Sequence, residues 1–93
     1  MTRIWGILRI KEKIAVDIVV EIEEPVLDGA LDALCQKLDV PRPVVLKKHR
    51  AEFTKFSRTR FKPDDFVEGV HFASFEVELL HDRKKNDANL YKL

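Results

Sequence analysis

Between residues 14 and 22 the chain alternates strictly, with Ile14, Val16, Ile18, Val20 and Ile22 on one side and Ala15, Asp17, Val19 and Glu21 on the other. A period of two marks a strand with one face in a core. The preceding apolar run, residues 4–10, is equally rich in branched side chains, so the two segments read as an N-terminal β-hairpin. Its connection, Lys11, Glu12 and Lys13, lacks the Gly or Asn that tight hairpin turns favour, which leaves the register open. The second face of the hairpin carries Trp5, Ile7, Ala15 and Val19 beside Arg9, Asp17 and Glu21, more apolar than a solvated face requires.

A helix follows. Leu27, Leu31, Leu34 and Leu38 recur at spacings of four, three and four, a stripe that packs one helical face on the sheet. Pro25 is placed for the first helical turn, so the element is expected over about residues 26–38, with Pro41 and Pro43 closing it. Residues 44–61 satisfy two periods at once. Leu46, His49, Phe53 and Phe56 keep helical spacing, while Thr54, Phe56, Arg58 and Arg60 alternate. The reading adopted is a short helical turn near Lys47, then a strand through Arg60. A turn at residues 62–65, with a further helical turn through Phe66, leads to a strand over residues 70–80 that points Phe75, Val77 and Leu79 one way and Glu76 and Glu78 the other. The expected fold is α+β, with an antiparallel sheet of about four strands beginning with the N-terminal hairpin, one main helix on one face and one or two short helical turns. Residues 1–82 are expected to form a single compact domain, and residues 83–93 a polar, mobile tail unless Leu90 and Tyr91 dock.

Ninety-three residues, 45% apolar and 35% charged with three Gly and four Pro, suit one globular core. The single cysteine, Cys35, forms no internal disulfide, which points to a reducing cytoplasm. Arg3 and Arg9 break the N-terminal apolar run, so no signal-peptide core is read there. No apolar stretch reaches the roughly 20 residues of a membrane span, and a soluble protein with no membrane association is expected.

The net charge of +1 conceals strong segregation. Residues 1–11 carry three basic groups and no acid, residues 12–39 two basic against eight acidic groups, and residues 40–62 eight basic groups against Glu52 alone. Residues 63–82 hold six acids and no Lys or Arg, and the last eleven residues four basic groups against one acid. The basic stretch contains Lys47, Lys48, Arg50, Lys55, Arg58, Arg60 and Lys62, interleaved with Phe53, Phe56 and Phe61. Lys and Arg neutralise phosphate and aromatic rings stack on unpaired bases, so the segment is a candidate surface for single-stranded DNA or RNA. It contains no glycine and matches the aromatic signature of sheet-based RNA modules poorly. The competing reading places Lys55, Arg58 and Arg60 beside strands bearing Asp17, Glu21, Glu76 or Glu78 as cross-strand pairs. Because acidic blocks flank the basic one on both sides, internal pairing is the reading preferred.

Nothing in the sequence supports catalysis. There is no glycine-rich phosphate loop, nucleophile elbow or paired-carboxylate motif. Asp64, Asp65 and Glu68 read as a solvated turn rather than a cation loop, since their spacing fits no such loop. His49, His71 and His81 with one Cys make no zinc pattern. His71 is expected to be partly buried beside Ala73 and Phe75, and Cys35 to be a small buried hydrophobe. No cofactor and no metal are expected. The leading functional reading is a non-enzymatic interaction module that self-associates or docks on a protein partner, with Trp5, Ile7 and Val19 as interface candidates. Nucleic-acid binding through residues 47–62 is the alternative.

Overall fold

A computed structural model describes residues 2–80 of the chain. The hairpin forms as expected, from β1 (Thr2–Ile10) and β2 (Lys13–Ile22), and α1 (Leu27–Leu38) follows it. Next come α2 (Lys47–Phe56), β3 (Arg58–Phe61), a single 3-10 turn at Pro63–Asp65 and β4 (Ser74–Leu80). All strand pairs are antiparallel, in the order β2-β1-β4-β3. The hairpin thus supplies one edge and the centre of the sheet, and the second half of the chain supplies the rest. The expected tail, residues 83–93, and His81 lie outside the described residues.

Both helices lie on the face formed by Ile4, Gly6 and Leu8 of β1 and Phe75 and Val77 of β4. Helix α1 buries Leu27, Ala30, Leu31, Leu34 and Cys35, and Ile18, Val20 and Ile22 of β2 pack partly against the same core. Its closest approach is at Gly6, where an added Cβ would stand 2.7 Å from one methyl of Leu34 and 3.0 Å from the other. Gly6 is therefore a spatial requirement, since any side chain here would lift the helix from the sheet.

The segment that satisfied two periods resolves as a helix of ten residues, α2, and not as a short turn before a long strand. Residues 47–52 are mainly good helix formers, and burial of His49 and Phe53 four residues apart rewards the helical period with core contact. The strand is confined to Arg58–Phe61, after Ser57 takes the left-handed conformation (φ 64°, ψ 21°) that ends the helix. Five of the six phenylalanines are buried and only Phe56 is exposed. Tilted and edge-on ring contacts link His49, Phe61, Phe75, Phe72 and Phe66 in succession, with centroids 4.2–6.4 Å apart.

Other boundaries also shift. Helix α1 begins at Leu27, its N-cap Val26 is extended, and Pro25 precedes the helix instead of opening it. The hairpin loop has only two residues, Lys11 and Glu12, because Ile10 pairs with Lys13, and Lys11 adopts φ 62° in place of the missing Gly. The register slips between Leu8 and Arg9: Leu8 faces Val16, Arg9 faces Ile14, and Ala15 is the extra residue of a β-bulge. Ile14 consequently sits opposite Arg9 and leaves the row of Val16, Ile18 and Val20. Strand β4 starts only at Ser74, so His71 precedes it and is exposed instead of partly buried.

Leu34 is fully buried and has no room to yield to a new methyl. Gly6→Ala should therefore destabilise the fold by about 1–3 kcal/mol, the usual range for overpacking, read as a lower urea midpoint at unchanged slope. An unchanged midpoint would show that α1 does not rest on this strand.

Candidate interaction surface

On the sheet face away from the helices, Ile7 stands between Asp17 of β2 and Glu76 of β4, with Trp5 and Arg9 two residues away along β1. The Trp5 indole Nε1 donates to Asp17 at 2.8 Å, and Arg9 Nε donates to Glu76, also at 2.8 Å. Each bond ties an along-strand neighbour of Ile7 to one of its cross-strand neighbours. The result is that Ile7 is only 2% exposed although no helix covers it. Trp5 is half-buried and Val19, its partner across the hairpin, is exposed. Of the three interface candidates, Ile7 is closed off and Val19 is open.

The basic block is divided rather than gathered. Arg50 reaches Asp28 of α1 at 3.3 Å. Arg42 in the preceding loop pairs with Asp32 at 2.6 Å and approaches Asp28 at 3.7 Å. Arg60 Nε lies 3.5 Å from Glu76, which also holds Arg9, and Arg58 stands directly across from Glu78. Lys47 and Lys48 are exposed on the first turn of α2, Lys62 is exposed before the 3-10 turn, and the Lys55 ammonium sits 5.6 Å from the Phe56 ring centroid, a weak cation–π contact. A groove of about 460 Å³ beside β3 is lined by Glu52, Glu76 and Glu78 as well as Arg58 and Arg60. Its mixed signs give a polyphosphate no uniform attraction.

Two groups with chemical potential are committed to the core. The Leu46 N–H donates to His49 Nδ1 at 2.9 Å, closing the N-terminus of α2. That acceptor role leaves the ring proton on Nε2, which lies 3.4 Å from Asp65 without an aligned hydrogen bond. The carboxylate of Asp65 instead accepts the Lys62 N–H at 2.9 Å. Cys35 points its thiol at the Pro41 carbonyl, 3.7 Å away. Burial pushes that thiol up to about 11, with nearby Arg42 opposing and Asp32 adding to the effect. Among the described residues, no cluster of three or more His, Cys, Asp or Glu is arranged to hold a metal ion, and no helix is long and apolar enough to cross a membrane.

The apolar surface that remains open lies along β2 and at the hairpin turn. Ile10, Ile14, Val16 and Val19 are each 45–50% exposed, whereas Ile18, Val20 and Ile22 pack on the core. A ten-residue strand spans about 33 Å and a twelve-residue helix about 18 Å. Helix α1 therefore covers only the C-terminal half of β2. The sequence carried this signal in the lengths of the two elements, although the alternation by itself suggested a strand buried along its whole length. No family model, curated protein or solved structure matches the chain.

Because the fold disfavours the Cys35 thiolate, the native-state pKa lies above the unfolded one. The associated stability is complete below pH 9 and is lost as pH rises from about 9 to 11, by up to about 3 kcal/mol. Urea midpoints across this range should fall more steeply for the natural chain than for Cys35→Ala, and parallel curves would place the thiol in water.

Proposed function

We propose that the chain is a non-enzymatic, self-associating interaction module of a reducing, cytoplasmic environment, with the distal part of the hairpin as its contact surface. One observation carries this reading: Ile14, Val16 and Val19 are exposed on a ten-residue strand at the edge of the sheet, next to exposed Ile10 at the turn. Long apolar edge strands offer unpaired backbone groups and a hydrophobic row together, and soluble proteins usually cover or blunt them. Helix α1 is too short to cover Val16, and Ile14 and Val19 lie on the opposite face, where neither helix packs. A shallow concavity at the turn, bounded by Ile10, Lys13 and Ala15, extends the same surface.

The internal charge pairing supports this reading over nucleic-acid binding. Arg50 and Arg60 are held by Asp28 and Glu76, and Phe53 and Phe61 are buried, which leaves Phe56 as the exposed ring of the basic segment. Single-strand binding would then rest on Lys47, Lys48, Lys55, Arg58 and Lys62 with one stacking partner, few contacts for a backbone-tracking groove.

Sedimentation of the full chain should show a species heavier than the 10.8 kDa monomer at about 100 µM, a concentration that populates even weak interfaces. Val16→Lys should return it to the monomer and, compared at concentrations too dilute for association, should leave the unfolding midpoint unchanged, because Val16 is about half exposed. A natural chain that stays monomeric throughout would overturn the reading. Titration with a labelled single-stranded oligonucleotide at low salt should give no saturable binding. Saturable binding whose affinity falls with salt, at a slope of about −0.7 per phosphate neutralised, would favour the lysine surface.

A further inference from the structure

We infer that the occupant of the β2 edge is a second copy of the same chain, paired antiparallel through β2 about a two-fold axis at Ile18, so that two four-stranded sheets join into one. The inference rests on the self-association reading and specifies its geometry. The first argument is the charge polarity of the strand. Lys11 and Lys13, with Glu12 between them, give its beginning a net charge of +1, while Glu21, Glu23 and Glu24 give its end −3, and all six are exposed. Antiparallel self-pairing lays the basic end of each copy along the acidic end of the other, twice over, as a two-fold interface requires. A parallel alignment would set like ends together.

The second argument concerns register. Two-fold pairing within one continuous sheet keeps each side chain on its own face, and the axis then passes through a residue of β2. An axis at Val16 falls beside the Ala15 bulge, where pairing is already disrupted. At Asp17 it would oppose Asp17 to Asp17. At Val19 it would oppose Asp17 to Glu21, and at Val20 Asp17 to Glu23. At Ile18 it opposes Ile18 to Ile18, Val16 to Val20 and Asp17 to Val19, with no like charges directly facing within Lys13–Ile22. The half-exposed Val16 and Val19 each gain a cross-strand neighbour in this register, and the apolar row over the helices continues from one copy into the other. The opposite edge offers no comparable strand, since β3 has four residues and presents Arg58 and Arg60.

Charge reversal at one end only, followed by mixing, tests the pairing. Lys11→Glu combined with Lys13→Glu reverses the basic end, and Glu23→Lys combined with Glu24→Lys reverses the acidic end. Each double variant alone should dimerise at least about tenfold more weakly than the natural chain, with the natural chain's unfolding midpoint at concentrations too dilute for association. An equimolar mixture should recover natural affinity as a heterodimer, because both contacts are then complementary. Amide exchange in residues 16–20 should also slow as protein concentration rises, while the β3 edge stays unaffected. If the mixture is no tighter than either variant alone, yet Val16→Lys still abolishes association, the edge pairing falls and self-association through the sheet face stands. If the natural chain is monomeric, both fall together.

Discussion

Leu34 rests directly on the backbone of Gly6 near the centre of the hairpin, and that seat sets how closely α1 approaches the sheet. Because α1 is anchored there, it covers Ile18, Val20 and Ile22 and runs out before Val16. The remaining half of the helical layer is left to α2, which contributes His49 and Phe53 above the phenylalanines of β3 and β4. Packing at this density tolerates little change in volume. One missing side chain on β1 thus sets the layer spacing and indirectly exposes the far end of the hairpin.

Charge acts after hydrophobic burial has chosen the layers. The alternating blocks meet across the fold: Arg42 and Arg50 from the basic stretch bracket Asp28 and Asp32 on α1, and Glu76 receives both Arg9 and Arg60. Most of these groups are exposed or half-exposed, so each pair contributes about 0–1 kcal/mol. Their larger effect is on what the surface presents. Positive potential that would draw polynucleotides is partly cancelled within the molecule, and the exposed arm of the hairpin is left as an apolar surface tipped with opposite charges at its two ends.

Much of this arrangement was legible in the residues. The alternation of residues 14–22 and the leucine stripe of α1 each satisfy a single period, and both formed the element they specify. Phe75, Val77 and Leu79 face the core opposite Glu76 and Glu78, and Cys35 is buried, as read. Residues 44–61 were misread because helix and strand periods overlap there, and the decision lay with whether His49 and Phe53 found a core to enter. The Ala15 bulge was hidden for a different reason. It is a property of the backbone pairing between β1 and β2, and side-chain pattern does not encode that.

The sequence alone determined which segments have an apolar side and that opposite charges lie in neighbouring blocks, because periodicity and block charge are properties of the chain itself. Only the tertiary structure decided which apolar sides were covered. That depended on strand rise against helix rise, on where Gly6 admitted Leu34, and on Trp5 and Arg9 reaching Asp17 and Glu76 to enclose Ile7. These are distances between residues far apart in the chain, and they exist only once the sheet has formed.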